Sequence, residues 1–228
     1  MKTRTKGLGV SMSLLVLLAA WTPAARANLL VDPGFESNPL TSAANVLANF
    51  PAYQGQWGAE VGTITGATGG VTPAQGSKML SMTDDGLTAT QTFQVTDVTA
   101  YATQINTGTA SVNLSALFNV GPNVPAGVAA VYVQFFSASN YGSQIGAGTG
   151  SSLTLDASPA TWQPITVTAP IPVGTTWIMS QVYYLDAPLL SNPGYVDAAD
   201  MTITPEPASM ALLGLGGAVL FRRRRARG

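Results

Sequence analysis

Between residues 88 and 204 the chain alternates apolar and polar side chains in several runs, the two-residue period of strands with two unlike faces. Ala89, Gln91, Phe93 and Val95 fall on one face, with Thr88, Thr90, Thr92 and Gln94 opposite. Ala110, Val112, Leu114, Ala116 and Phe118 share another face, backed by Ser111, Asn113 and Ser115. Val131, Val133 and Phe135 alternate with Tyr132, Gln134 and Phe136. Further strands are expected over residues 78–82, around Ile165 and Val167, over 177–185 and over 195–204. Turn signals separate these runs at Asp84-Asp85-Gly86, Asn106-Thr107-Gly108, Gly121-Pro122-Asn123 and Ile171-Pro172-Val173-Gly174. About eight antiparallel strands in this length predict an all-β fold, a two-sheet jelly-roll sandwich.

The two ends break the alternation. Lys2, Arg4 and Lys6 precede an apolar run from Leu8 to Ala20, followed by Ala25-Arg26-Ala27. A basic start, a short apolar stretch and a small-x-small triplet predict a signal peptide over 1–27, cut by signal peptidase after Ala27. At the other end come Pro205-Glu206-Pro207, an apolar Gly-rich stretch from Ala208 to Phe221, and Arg222, Arg223, Arg224 and Arg225. As a helix, residues 208–221 would reach roughly 21 Å, a short span for roughly 30 Å of hydrocarbon. The arginines would stay cytoplasmic and stop transfer. The chain therefore divides into 1–27, a β-sandwich ectodomain over 28–204, and a tail over 205–228 that reads as a short transmembrane helix with its flanks.

These residues, in this order, make the tail resemble the PEP-CTERM sorting signal of Gram-negative bacteria that make exopolysaccharide. The resemblance implies an exosortase-type processing enzyme as a partner, acting near Pro205, Glu206 and Pro207. It also implies a membrane-anchored precursor that ends at the cell surface or in the extracellular matrix. Because strand 195–204 runs almost directly into Pro205, little linker is expected between domain and membrane.

Charge narrows the partners. Within 28–204, ten acidic residues face the single Lys78, a net charge of −9. Nucleic-acid binding rests on cations meeting phosphates, so this composition excludes it. The absence of Cys and His removes triads, thiol chemistry and the usual ligands of zinc or copper. Two-carboxylate glycosidase chemistry is the enzymatic alternative, yet no spacing singles out a pair. No catalytic residue is assigned.

The domain's opening, Asn28-Leu29-Leu30-Val31-Asp32-Pro33-Gly34-Phe35-Glu36, resembles the start of carbohydrate-binding modules with the galactose-binding-like jelly roll. Ala74-Gln75-Gly76-Ser77-Lys78-Met79-Leu80 resembles a middle strand of that family, and Tyr195 to Ile203 its closing strand, although Ala198 and Ala199 separate acids that the family keeps adjacent. The resemblance implies first and last strands side by side, with a structural calcium held there by Glu36 and by Asp197 or Asp200. It also implies sugar stacking on exposed rings, for which Tyr53, Trp57, Tyr141 and Trp162 are candidates. The reading is thus an exported, non-catalytic surface or matrix protein with polysaccharide as a partner. The alternatives are a dedicated lectin-like module, favoured by two exposed aromatics on one sheet face, and a glycan-degrading enzyme, favoured by two carboxyls facing across a cleft.

Overall fold

The computed structural model describes residues 27–37, 40–42, 50–59, 61–83, 89–122, 127–185 and 193–205. Ala25, the Asp84-Asp85-Gly86 turn, Glu206, Pro207, the expected membrane helix and Arg222 to Arg225 lie outside the described residues. The strands are β1 (Thr41–Ser42), β2 (Gly58–Ala59), β3 (Gly62–Thr65), β4 (Met79–Met82), β5 (Ala89–Asp97), β6 (Ala110–Val120), β7 (Val128–Phe136), β8 (Thr149–Thr154), β9 (Gln163–Pro170), β10 (Trp177–Leu185) and β11 (Gly194–Pro205). One short helix, α1 (Ala102–Asn106), follows β5. Among the described residues no helix is long and apolar enough to cross a membrane.

The strands form the expected jelly-roll sandwich. One sheet runs β1-β2-β5-β10-β7-β8 and the other β3-β4-β11-β6-β9. All pairings between these strands are antiparallel except β1 with β2. The apolar sets read from the sequence meet between the sheets: Val112, Leu114 and Phe118 of β6 pack with Val131 and Val133 of β7 and with Val196 and Met201 of β11 in one buried cluster. Four strands carry no such signal in the sequence. β8 is rich in Gly, Ser and Thr and lacks the alternation of its neighbours, and β1 to β3 are only two to four residues long.

β5 departs from the simple pattern. Thr90, Thr92 and Gln94, the polar set, stand in register with Tyr184, Val182 and Ser180 and so share their face. Val182 and Tyr184 belong to the central core, so this polar face points into the sandwich. Phe93 and Val95 point the other way, into a second cluster with Phe50, Tyr53, Phe136 and Met179. Both faces of β5 are covered, one by the opposite sheet and one by the turn at 50–53. Gln94 is accommodated inside by a two-way amide clamp on Val31: Val31 N–H donates to Gln94 Oε1 (2.8 Å) and Gln94 Nε2 donates to the Val31 carbonyl (2.9 Å). Thr90 and Thr92 keep buried hydroxyls with no partner.

That clamp fixes the first residues of the ectodomain. Asn28 donates through Nδ2 to the Ala199 carbonyl (2.8 Å) and accepts at Oδ1 from Met201 N–H (3.0 Å). Leu29 N–H adds a bond to the Met201 carbonyl (2.9 Å). Segment 28–31 therefore ties β11 of one sheet to β5 of the other. β11 itself stays in register to its end, with Thr204 opposite Ser111 and Pro205 opposite Ala110. The folded domain thus reaches one residue beyond the expected boundary, and no linker separates Asp200 from Pro205.

Candidate functional site

First and last segments do meet, and a β-bulge decides how. In β11 the register shifts between Asp197, opposite Leu117, and Asp200, opposite Ser115, so that Ala198 and Ala199 together face Ala116. The extra residue puts Asp197 and Asp200 on the same outward face of the five-stranded sheet, whereas an unbroken strand would place residues three apart on opposite faces. Ala198 takes a left-handed φ of 48° in the bulge, and Ala199 N–H is held by the Pro33 carbonyl (2.9 Å). The bulge supplies one of the two residues that separate these acids in the sequence.

The turn against the bulge is built by Asp32. Its carboxylate accepts from Glu36 N–H (2.8 Å) and Ser37 N–H (3.0 Å), and its φ of 48° is one that Asp tolerates when its side chain bonds locally. The turn drives Phe35, at φ 53°, into the core and aims Glu36 at the loop before β4. Glu36 accepts from Ser77 N–H (2.8 Å), Ser77 Oγ–H (2.8 Å) and Lys78 N–H (3.0 Å). A Cβ on Gly76, whose φ is +64°, would strike Glu36 Oε1, so glycine there lets the loop close on the carboxylate. Asp197, 0 % exposed, accepts from Gln75 N–H (2.9 Å) and Ala198 N–H (2.7 Å).

The two carboxylates titrate in opposite directions. The Lys78 backbone N–H, then the Ser77 hydroxyl and N–H, hold Glu36 below its ordinary 4.5, and the Lys78 charge adds to this. Burial pushes Asp197 above its ordinary 3.8 against the N–H groups of Gln75, Ala198 and Ala74, and the Glu36 charge raises it further. Asp200, half-buried beside Ser115, is also raised by burial.

Calcium takes six to eight oxygens. Glu36 and Asp197 come together, but N–H donors face their oxygens. Asp200 does not complete a set: among the described residues no three acidic side chains gather where a metal could sit. As they stand, the two carboxylates form a hydrogen-bonded clasp on N–H donors.

Glu36→Gln, which keeps the shape but not the charge, is expected to lower the melting temperature at neutral pH, since charge-assisted bonds are about twice as strong as neutral ones. The folded pKa of Glu36 lies below the unfolded one, so its contribution is full above 4.5 and is lost as pH falls through the lowered value. Melting curves of the two proteins should converge on acidification. A gap independent of pH would show that the charge of Glu36 does not hold the loop.

Of the four candidate sugar platforms, two present no ring to solvent. Tyr53 is 0 % exposed and stands edge-on to Phe93 (4.5 Å, 85°). Trp57 is 4 % exposed, lies against Phe35 (5.0 Å) and donates from Nε1 to the Asp32 carbonyl (3.0 Å). Both are core residues, because the turns that carry them fold back over the sandwich. Tyr141 is half-buried against Phe50 and Phe136. Trp162 is half-buried over the Val71–Met79–Tyr195 cluster, with Nε1 on the Thr72 carbonyl (2.9 Å).

An aromatic pair occurs elsewhere, on the outer face of the six-stranded sheet. Tyr183 stands opposite Ala130 and Gln91, and Tyr132 opposite Gln181 and Gly150, so the two tyrosines are diagonal neighbours. Both are half-buried, and burial followed by the neighbouring Tyr132 raises the Tyr183 phenol. The Tyr132 ring lies over β8 where Gly148 and Gly150 leave room; a Cβ at either would meet the ring. Beside them, across β10 and β5, Gln181 donates to Gln91 Oε1 (3.4 Å). The strand alternation carried this signal, since Tyr132 and Tyr183 each sit one residue from a core position.

Known proteins agree with the architecture. The sandwich is similar to a Stig cyclase, Fisc, from Fischerella sp. TAU, solved with an indole ligand, at 10 % identity and a TM-score of 0.54 over 80 % of this chain and 100 % of that one. It is also similar to the module TmCBM61 solved with β-1,4-galactotriose (14 %, TM-score 0.47, 79 % of this chain and 99 % of that one). A third likeness is the CBM22-1 xylan-binding domain of Paenibacillus barcinonensis Xyn10C (11 %, TM-score 0.45, 79 % and 97 %). Of the three, the cyclase likeness bears on the architecture, and at 10 % identity it speaks for the fold alone. No curated protein matches the chain. The model of the PEP-CTERM protein-sorting motif matches residues 204–225, so the chain is a jelly-roll domain that carries this motif.

Proposed function

We propose that this protein is exported, routed to the cell surface or an exopolysaccharide matrix of a Gram-negative bacterium by its PEP-CTERM tail, and binds a neutral glycan without catalysis. Signal peptidase frees Asn28, and an exosortase-type enzyme processes the tail near Pro205. The sorting motif supports export, and the paired Tyr132 and Tyr183 carry the glycan reading. Tyrosine rings offer apolar faces to pyranose C–H groups, and the amides of Gln91 and Gln181 beside them can bond hydroxyls. The net charge of −9 on the ectodomain favours neutral over acidic polysaccharide. Glu36 and Asp197 do not support a glycosidase, since both are held by N–H donors and Asp197 is buried.

Affinity electrophoresis of the mature protein through gels of neutral and acidic polysaccharides tests this. Retardation is expected in a neutral gel only. Tyr132→Ala or Tyr183→Ala should weaken it by about 2 kcal/mol, roughly thirtyfold, as for a central aromatic contact. Binding that survives the loss of both tyrosines would place the glycan elsewhere. The absence of any binding would leave a structural matrix role.

A further inference from the structure

One end of the sandwich is built from uncharged connections. At this end lie the connections 98–109, 137–148 and 171–176, together with Pro205. They are stitched to their neighbours by Ile171 N–H to the Ala110 carbonyl (2.8 Å), Val98 N–H to the Thr176 carbonyl (2.9 Å), Thr176 N–H to the Phe136 carbonyl (2.9 Å) and Gly174 N–H to Asn106 Oδ1 (3.2 Å). None of these three segments contains a charged residue. Asp97 stands at their rim, its carboxylate turned to Thr99 N–H (2.8 Å). Val173 is 60 % exposed at the tip, with half-buried Tyr101, Tyr141, Ile145 and Trp177 around it. At the opposite end Asp156 lies between β8 and β9.

Pro205 is still in the sheet, and the apolar stretch of the tail begins at Ala208. Three extended residues reach about 10 Å. The headgroup layer on each side of a bilayer is about 5–8 Å thick. A tail inserted from Ala208 therefore keeps this end within about 10 Å of the hydrocarbon, in or at the edge of the headgroup layer. There carboxylates would meet lipid phosphates, whereas Tyr and Trp settle at the interface, and half-buried Tyr101, Tyr141 and Trp177 stand at this end.

We infer that the end formed by 98–109, 137–148 and 171–176 is a lipid-facing surface, seated in the headgroup layer of the bilayer while the precursor is anchored. The inference rests on the reading of the tail as a membrane span.

The chain has no Cys, so single environment-sensitive fluorophores can be placed at will. The full chain would be reconstituted in vesicles of phosphatidylethanolamine and phosphatidylglycerol with nitroxide-labelled lipid and no other protein. Probes would sit at Val173→Cys, at Ala157→Cys, exposed on the opposite end beside Asp156, and at Leu213→Cys in the tail. Blue-shifted, quenched emission is expected from the probes at 173 and 213, and aqueous, unquenched emission from 157. An embedded 213 with an aqueous 173 overturns the lipid-facing surface alone and points to a protein partner there. An aqueous 213 overturns the membrane span and the inference with it. Equal quenching at 173 and 157 also overturns it. Thr103→Cys, exposed on α1, reports on the same surface should the change at Val173 prevent folding.

Discussion

Asp197→Ala is expected to destabilise the domain by about 3 kcal/mol, because it strips the acceptor from buried or half-buried N–H groups at about 1–3 kcal/mol each. Gln75 and Ala198 lose their partner directly, and the loop they anchor is the one that Glu36 also holds. For a domain of this size the midpoint should fall by about 6–12 °C. Asp197→Asn keeps one acceptor and should cost less. Burial works against the native carboxylate as well. The folded pKa lies above the unfolded 3.8, so the native state binds more protons in that window and wild-type stability falls as pH rises through it. Asp197→Asn lacks this dependence, so its deficit should narrow as pH rises across the window. Thermal melts of the three proteins at several pH values decide the matter. A midpoint for Asp197→Ala within a degree or two of wild type would mean that the bulge and the loop do not depend on this carboxylate.

Phe35→Ala should cost about 3–5 kcal/mol, the usual range for a buried phenylalanine. The ring is 0 % exposed, lies 5.0 Å from Trp57 and sits at the junction of the first segment with the central core. Its φ of 53° is left-handed, so alanine inherits the backbone strain while losing the burial that opposes it. A loss of that size is a large part of a typical domain's 5–15 kcal/mol, and the midpoint should drop by about 10 °C or more. Chemical denaturation followed by tryptophan fluorescence gives the free energy directly. A loss under about 1 kcal/mol would show that Phe35 is not a core residue.

The Gly34-Phe35-Glu36 triplet shows how far reading the residues could go. Its membership of the first segment was legible, and the meeting of that segment with the last strand followed from the family resemblance of both segments. What Glu36 does there was not. The distance from Glu36 to Ser77 and Lys78 along the chain leaves no local trace, and whether a carboxylate faces a cation or N–H groups depends on where Gly76 turns its loop. The same limit explains the sugar candidates. Trp57 and Tyr53 stand in glycine-rich turns that look exposed in one dimension, yet those turns fold onto the sheet, whereas Tyr132 and Tyr183 lie inside strands that look like core.

The sequence by itself determined the elements whose cause is local. Alternation sets β6, β7, β10 and β11, and Pro-Glu-Pro with its apolar run and arginines marks the sorting tail, because strand pleat and membrane insertion are read one segment at a time. Tertiary structure alone decided which face of β5 turns inward, since the answer lies with the turn at 50–53 that covers Phe93 and Val95 and with the Val31 backbone that satisfies Gln94. It decided that the bulge keeps Asp197 and Asp200 on one face, that Tyr132 meets Tyr183, and that the uncharged connections gather beside Pro205. Each of these is a meeting of residues far apart in the chain. A period of two distinguishes the faces of a strand, but only the neighbours that cover them decide which is core and which is site.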